Sequence, residues 1–265
     1  MATTLAIISS NKIDQRFALL RATKRKALVC YVTSGYPSEA KCLELLRGLE
    51  AEGADIIEVG VPFSDPIADG PVIQNSSQMA LAAGMTLEKT LDLISRASLN
   101  VPVVLFTYLN PLLAAGDDVL ERAGTAGVDG ILLTDLPVGA DPERENWLGD
   151  SELAFVRLVA PTTPVGRMRE IALNGSGFVY LISRLGVTGA QASLATDLRE
   201  TSERLRSATN LPICVGFGIS NGEQARSAAS AADGVVVGSA LIKAAGESVE
   251  AALTLTRSLR TALDS

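Results

Sequence analysis

Eight short aliphatic runs, separated by stretches with helical periodicity, constrain the fold of this chain more than any other feature. The runs are Ala27–Thr33, Ala54–Gly60, Val101–Tyr108, Val128–Asp135, Ala154–Ala160, Gly177–Ser183, Leu211–Gly216 and Gly234–Gly238. The stretches of helical period include Ser38–Glu52, Thr86–Ser98, Asp118–Ala126, Val165–Asn174, Leu198–Ala208 and Asn221–Ala231. Aliphatic strands that are buried on both faces and alternate with helices are typical of a parallel sheet with crossover helices.

Eight such units without a break in composition favour a closed (β/α)8 TIM barrel, in one domain spanning residues 1–265. The alternative is an open, doubly wound sheet, but no G-x-G-x-x-G motif follows the first run. Asn11–Arg21 predicts an extra N-terminal helix that caps the barrel bottom. The fourth crossover helix, Asp141–Asp150, is predicted to be short, and it carries Pro142 and Gly149.

Two connections that follow strands are longer than packing requires. One extends from Val61 to about Ser76, and the other from Arg184 to about Thr196. Both would lie at the carboxyl-terminal face of the barrel, where enzymes of this architecture build their active sites. We therefore expect these two loops to contribute to the site.

Charge and composition exclude several classes of function. The net charge of −7 disfavours nucleic-acid binding, because an acidic surface repels a phosphate backbone. The chain has no histidine, which excludes histidine bases, Ser-His-Asp machinery and imidazole-ligated zinc. Acid–base chemistry must then come from carboxylates, Tyr, Lys or Cys, and we predict no metal site.

The cysteines and the N-terminal segment indicate a cytoplasmic protein. The three cysteines, Cys30, Cys42 and Cys214, are odd in number and form no CxxC motif, which is typical of reduced structural thiols. Met1–Ser10 has no basic region, and no apolar run approaches the length needed to cross a bilayer. We expect no association with membranes.

Glu58 is a carboxylate inside an aliphatic strand. Strand side chains alternate between faces, so if Ile57 and Val59 face the helices, Glu58 projects into the barrel. Burial there raises the pKa of a carboxyl toward the range that is useful for proton transfer. The alternative is a structural glutamate bonded to a neighbouring strand.

Asp69 lies eleven positions further on, in a loop stiffened by three prolines at positions 62, 66 and 71. Proline limits backbone freedom and helps to hold a loop carboxylate in place. An Asx-turn before Gly70 explains the same residue equally well. Spacing alone leaves both interpretations open.

Glycines at the ends of the last three strands predict a phosphate site. They occur in Gly186–Gly189, Gly216–Ser220 and Gly238–Ser239. Glycine permits close backbone approach, and a helix that begins at Ser239 would direct its N–H groups at an anion. Barrel enzymes frequently bind phosphate at the loops after strands seven and eight.

The segment Glu58–Pro71, EVGVPFSDPIADGP, resembles the signature of tryptophan synthase α subunits. The resemblance extends from about Asp14 to Leu263 and implies a (β/α)8 barrel. The catalytic glutamate and second loop aspartate of that family match Glu58 and Asp69.

Further site residues are implied by the same resemblance. The phosphate-holding segments of the family match Thr188, Gly189, Gly218, Gly238 and Ser239. The remaining matches are Tyr31, Tyr108 and Tyr180, expected to line an indole pocket, and Asp135 at the end of the fourth strand. For the three tyrosines, ordinary packing is an equally good interpretation.

The family resemblance also implies a reaction, a partner and the absence of a cofactor in this chain. The reaction is the retro-aldol cleavage of indole-3-glycerol phosphate to indole and glyceraldehyde 3-phosphate. The partner is a β subunit that carries pyridoxal phosphate, in an αββα assembly. The alternatives are a stand-alone lyase with the same chemistry, another phosphate-binding barrel enzyme, and a non-catalytic barrel that acts as an allosteric subunit.

Overall fold

The computed structural model describes residues 11–182, 191–216 and 218–265, with the side chains of all but residues 191–196. Its eight parallel strands close into a barrel in sequence order, β1 to β8, with β8 paired to β1. The strands are β1 Ala27–Thr33, β2 Ile56–Gly60, β3 Val103–Thr107, β4 Gly130–Leu133, β5 Ala154–Val159, β6 Val179–Ile182, β7 Ile213–Gly216 and β8 Gly234–Val237. The closed barrel is confirmed, and the open sheet is excluded.

Helices surround this barrel, and the predicted ones occur in the predicted order. The helices are α1 Lys12–Ala22, α2 Glu39–Ala51, α3 Pro71–Ala82, α4 Leu87–Ala97, α5 Leu109–Ala115, α6 Val119–Ala126, α7 Pro142–Gly149, α8 Val165–Leu173, α9 Gln191–Arg206, α10 Gly222–Ala229, α11 Ser239–Glu247 and α12 Val249–Leu263. Of these, α3, α5 and α12 were not predicted. The predicted fourth crossover helix is α7. It begins with Pro142 in its first turn, where proline is favoured, and Asp141 accepts a hydrogen bond from the Arg144 N–H as its cap.

Two predicted loop boundaries are wrong. The loop after β2 ends at Gly70 rather than at about Ser76, because α3 begins at Pro71. The predicted loop after β6 extends to about Thr196, but residues 191–196 belong to α9, which begins at Gln191. The buried residues of α3 are Ser76, Ser77 and Ala80, which are small, so the apolar stripe that would reveal this helix is weak.

The two faces of β2 show how the sheet is packed. Ile57 and Val59 lie in the apolar layer between the sheet and the helices. Ile56 points the other way, into a separate apolar cluster inside the barrel. Glu58 shares the inward face with Ile56, as the alternation of strand side chains predicts.

Helix α1 closes the bottom of the barrel, as predicted. Its Ile13 and Phe17 are buried and belong to the interior cluster. The Phe17 ring lies 5.8 Å from the ring of Phe178, just before β6. The Asn11 side chain donates to the Asp129 carbonyl just before β4, at 2.7 Å, which fixes the helix to the amino ends of the strands.

None of the helices in the described ranges combines the length and the apolar composition that a membrane span requires.

Candidate active site

Glu58, on β2, is the most deeply buried acidic or basic side chain among the described residues, and it lies inside the barrel. Only 1% of the residue is exposed, and its strand neighbours in register are Tyr31 on β1 and Val104 on β3. Ile56, two residues earlier on the same face, belongs to the apolar interior. Among the described residues, the Glu58 Oε1 atom is buried with no hydrogen-bond partner. An oxygen in that condition is costly to ionise and is free to meet a ligand.

Burial raises the pKa of Glu58 to about 8. A carboxyl with that pKa is mostly protonated at neutral pH and can donate a proton to a bound molecule. The shift has no contribution from a charged partner, since desolvation is its only cause. The geometry gives no support to the alternative of a glutamate that bonds to a neighbouring strand through Oε1.

Asp69 lies in the loop after β2, and its carboxylate faces β3 at the rim of the barrel. Its Oδ2 accepts a hydrogen bond from the Tyr108 hydroxyl at 3.0 Å. The same hydroxyl accepts from the Ala68 N–H at 3.1 Å. The Phe63 ring packs against Tyr108 with a centroid separation of 5.0 Å. Tyr108 therefore holds both the backbone and the carboxylate of this loop.

The environment of Asp69 differs from that of Glu58. Desolvation raises the pKa of Asp69 to about 6, and the hydrogen bond from Tyr108 opposes that rise. Asp69 is half-buried and is mostly ionised at neutral pH. The two carboxyls thus differ in protonation state near pH 7, which is the arrangement that separates an acid from an ionic acceptor.

Tyr31 and Tyr180 lie inside the barrel on strands β1 and β6. A Cβ placed on Gly60 would come within 2.1 Å of the Tyr31 hydroxyl oxygen, and one on Gly216 within 2.2 Å of that of Tyr180. The glycines on β2 and β7 therefore leave the space that the two hydroxyl groups occupy. The Tyr31 ring also packs edge-on against Phe106, at 5.2 Å.

Asp135 lies two residues beyond β4, at the same end of the barrel but on an exposed position. Its Oδ1 accepts a hydrogen bond from the Leu109 N–H, the first residue of α5, at 2.8 Å. A carboxylate in that position stabilises a helix start. This contact gives Asp135 a structural role, and its predicted part in substrate binding stays a prediction.

The predicted phosphate residues are described in part. Gly218 has a positive φ of 80°, which favours glycine, and lies after β7. Gly238 precedes α11, and Ser239 is its exposed first residue. Thr188 and Gly189 lie outside the described residues. The loops after β7 and β8 therefore come to the same barrel end as Glu58, and the amino end of α11 lies there too.

Sequence reasoning missed Gln74, which binds the Asp69 loop directly. The Gln74 side-chain amide donates to the Asp69 carbonyl at 2.9 Å. The residue lies in the first turn of α3, within a segment that the sequence predicted to be a loop. If the helix is taken to begin at Pro71, Gln74 lies in its first turn, and its side chain faces the loop that precedes the helix. That placement is the signal that could have identified Gln74.

Within the described ranges, no group of three or more Cys, Asp or Glu residues is placed to hold a metal ion.

A closed parallel barrel with a buried acid and an ionised carboxylate at its carboxyl-terminal end defines a barrel enzyme that uses acid–base chemistry. Comparison with known proteins gives the family. The family model for "Tryptophan synthase alpha chain" matches residues 17–263. The chain belongs to the tryptophan synthase alpha chain family.

Individual relatives agree with this assignment over almost the whole chain. The tryptophan synthase alpha chain of Desulfatibacillum aliphaticivorans is 45% identical over 242 residues, which cover 90% of this chain and 91% of that protein. That of Methanosarcina barkeri is 46% identical, with 88% of each covered. The crystal structure of the alpha subunit from Legionella pneumophila has a TM-score of 0.87 at 33% identity, covering 96% of this chain and 99% of that one.

Members of this family are lyases of tryptophan biosynthesis that cleave indole-3-glycerol phosphate. An alpha chain also implies a beta-subunit partner.

Proposed function

We propose that this chain cleaves indole-3-glycerol phosphate with Glu58 as its acid–base group and Asp69 as the acceptor for the indole N–H. The observation that carries the proposal is the pair of carboxyls with pKa values of about 8 and about 6 at one end of the barrel. One is protonated and the other ionised at neutral pH, and the reaction needs one of each.

The bond between indole carbon 3 and the glycerol chain breaks after carbon 3 is protonated. Protonated Glu58 gives its proton to carbon 3, and the resulting indolenine can accept the electrons of the breaking bond. The Glu58 carboxylate then takes the proton of the adjacent glycerol hydroxyl, whose carbon becomes the aldehyde of glyceraldehyde 3-phosphate. Glu58 ends the cycle protonated, as it began, so the step is balanced and needs no cofactor in this chain.

Asp69 stabilises the same step from the other side of the ring. Protonation at carbon 3 places positive charge on the indole nitrogen, and an ionised acceptor forms the stronger hydrogen bond to its N–H. Tyr108 holds the carboxylate in the substrate-free chain through its 3.0 Å hydrogen bond. The indole N–H would share or replace that donor.

The remaining predicted residues orient the substrate. Tyr31, Tyr108 and Tyr180 provide aromatic surface for the indole ring, and Asp135 lies nearby at the rim. Thr188, Gly189, Gly218, Gly238 and Ser239 would hold the phosphate. The exposed amino end of α11 supports this assignment, because unsatisfied N–H groups and the helix dipole favour an anion there.

Replacing Glu58 by Gln tests the acid–base assignment. The amide cannot release or take a proton, so we expect turnover to fall by about 10²–10⁴-fold while substrate binding persists. Indole release measures turnover, and calorimetry with indole-3-glycerol phosphate measures binding. Asp65→Asn is the control, since Asp65 is exposed in the same loop and its carboxylate is bonded only to Ser64 among the described contacts. Near-normal turnover of the Gln variant would refute the assignment.

The beta subunit is proposed as the partner in an αββα tetramer, with pyridoxal phosphate bound in that subunit alone. Ile67, at the tip of the Asp69 loop, is 85% exposed, so a partner seated over this loop would bury it. Its closeness to Asp69 in the chain would link docking to the site.

Indole release with and without a tryptophan synthase beta subunit tests the partnership. Slow cleavage alone with strong stimulation by the partner is the expected result. Fast cleavage that is unaffected by the partner would identify a stand-alone lyase. No cleavage in either condition, together with intact partner binding, would identify a non-catalytic allosteric subunit.

We also place this reaction in the cytoplasm. The three cysteines are free and buried, which suits a reducing compartment.

A further inference from the structure

Gln74 joins the two ends of the turn that presents Asp69. Its Nε2 atom lies 2.9 Å from the Asp69 carbonyl oxygen and 3.4 Å from that of Pro66. The turn between them is closed by the Asp69 N–H, which donates to the Pro66 carbonyl at 3.1 Å. A side-chain amide carries two N–H donors, so one group can satisfy both carbonyls.

Helix α3 begins without a side-chain cap. Gly70 is the residue before the helix and has no side chain that could bond to the first turn. Gln74 instead reaches back from the first turn to the loop. The Asp69 backbone is thereby attached to α3, while its carboxylate is held by Tyr108 on the opposite side.

Helix α3 is itself fixed to the barrel wall two residues further on. The Ser76 hydroxyl lies 2.7 Å from the Thr33 hydroxyl on β1, and both residues are fully buried. Ser76 also donates to the Ile73 carbonyl of its own helix at 2.8 Å. The support for Gln74 is therefore a helix bonded to the strand that neighbours β2.

We propose that Gln74 is a positioning residue for Asp69, acting by fastening the Pro66–Asp69 turn to the first turn of α3. The proposal rests on the role of Asp69 given above. Gln74 does not reach the carboxylate, and none of its described contacts is with a residue proposed to bind substrate other than the Asp69 backbone.

Loss of this amide would release the turn without removing Asp69. Gln74 is exposed, so its methylene groups contribute little to the core. The catalytic hydrogen bond to the indole N–H depends on carboxylate placement, and a displacement of about 1 Å can reduce a rate by about 10²-fold. The defect should therefore appear in the chemical step rather than in folding.

The test compares Gln74→Met with Gln78→Met. Gln78 is the same residue type, exposed, one turn later on the same helix, and no side-chain hydrogen bond is described for it. We expect Gln74→Met to lower kcat by about 10–100-fold with little change in KM, and Gln78→Met to change neither. Melting temperatures should be alike.

A second variant, Gln74→Glu, keeps the length of the side chain but offers carboxylate oxygens to the two carbonyls in place of donors. It should reproduce the loss of kcat. The inference is overturned if Gln74→Met and Gln78→Met have the same kcat. It is also overturned if the loss of activity in Gln74→Met is no larger than the loss of folded protein.

Asp69→Asn separates this inference from the proposed function. If Asp69→Asn is nearly inactive and Gln74→Met is normal, only the role of Gln74 is wrong. If Asp69→Asn retains near-normal turnover, the role of Asp69 is wrong, and that of Gln74 with it.

Discussion

Two carboxyls of the same chemical kind differ in this chain because their surroundings differ. Glu58 stands above Ile56 in the barrel interior, and its Oε1 has no partner among the described residues. Asp69 is half-buried at the rim, where the Tyr108 hydroxyl donates to it. Desolvation alone raises the pKa of Glu58, whereas the hydrogen bond from Tyr108 partly opposes the rise for Asp69. The two pKa values therefore differ because of the surroundings of each carboxyl and not because of its residue type.

This separation predicts a bell-shaped dependence of kcat/KM on pH. Activity should fall below about pH 6, where Asp69 gains a proton, and above about pH 8, where Glu58 loses one. The phosphate of the substrate also titrates near a pKa of about 6, so the alkaline limb is the diagnostic one. Indole release measured from pH 5.5 to 9.5 gives the profile. A rate that stays level through pH 9 would contradict the assignment of Glu58 as the proton donor.

The buried carboxyl should also make stability depend on pH. Its folded pKa of about 8 lies above the ordinary value of 4.5, so the native state retains a proton that the unfolded chain loses. The free energy of unfolding should therefore fall as pH rises between these values, by about 1.4 kcal/mol per pH unit at most. Glu58→Gln, which cannot ionise, should escape this loss.

Urea denaturation of the parent and of Glu58→Gln at pH 5.5, 6.5 and 7.5 tests the prediction. The stability of the variant relative to the parent should increase at each step. Glu121→Gln, at an exposed position on α6, is the control and should show a constant difference. A constant difference for Glu58→Gln as well would mean that the native carboxyl is already ionised at pH 5.5.

At the scale of the elements, glycines on two strands determine where aromatic side chains fit inside the barrel. Gly60 on β2 and Gly216 on β7 have no side chains, and the hydroxyl groups of Tyr31 and Tyr180 lie over them. A glycine inside a strand weakens the strand, and here it gives space to an aromatic side chain from the neighbouring strand. The placement of each tyrosine inside the barrel is therefore set jointly by two adjacent strands.

Gly60→Ala should impair cleavage more than folding. The new Cβ would lie 2.1 Å from the Tyr31 hydroxyl oxygen and 2.6 Å from its Cζ, so the ring must move. Because Tyr31 is the register neighbour of Glu58, we expect kcat/KM to fall by at least about 10-fold. Gly166→Ala on α8 is the control, since a Cβ there meets nothing within 4 Å and alanine favours a helix. Equal activity of the two variants would contradict the prediction.

The sequence predicted these elements unevenly, for reasons that lie in their packing. All eight strands were predicted to within a few residues, because burial on both faces leaves a continuous aliphatic run. The start of α3 was not predicted. Ser76 and Ser77 lie on its buried face, where Ser76 forms a hydrogen bond to Thr33, so the helix lacks the apolar stripe that would reveal it. Gln74 was missed for the same reason. Glu58 and Asp69 are predicted as site residues from strand alternation and family resemblance, and that assignment stays a prediction. The Tyr108 hydrogen bond to Asp69 joins residues 39 positions apart, so only the three-dimensional structure reveals it.

At the scale of the whole molecule, an ion-pair network joins the last helix to the first two strands. Arg260 on α12 lies 2.8 Å from Asp55, just before β2, and donates to the Lys26 carbonyl at 3.1 Å. Asp55 also accepts from the Leu28 N–H on β1 at 2.9 Å. Both side chains are buried. Arg260 also pairs with Asp264 at 2.6 Å, whereas the nearest cation to Asp55 is Arg260, with Arg16 more distant at 3.9 Å.

Arg260→Met should therefore destabilise the fold by about 3–5 kcal/mol, because Asp55 would remain buried without its closest cation. Arg257→Met is the control on the same helix. Arg257 pairs with Glu52 at 2.7 Å on the surface, and its loss should leave stability nearly unchanged. Urea denaturation measures both, and activity at 25 °C should persist in each folded variant. Equal stability of the two variants would show that the buried pair is not a net stabilising element.

The organisation of residues 1–265 as a single domain stays a prediction.

Helix α1, which closes the amino-terminal end of the barrel, leaves the site open at one end only. Because Ile13 and Phe17 fill the amino-terminal end of the interior, molecules exchange with the site at the opposite end, beside Asp69 and Ile67. Entry of one phosphate ester and departure of two unlike products then compete for the same exit. A partner seated over that exit would not need to alter the chemistry in order to govern the reaction. It could set the sequence in which molecules arrive and leave.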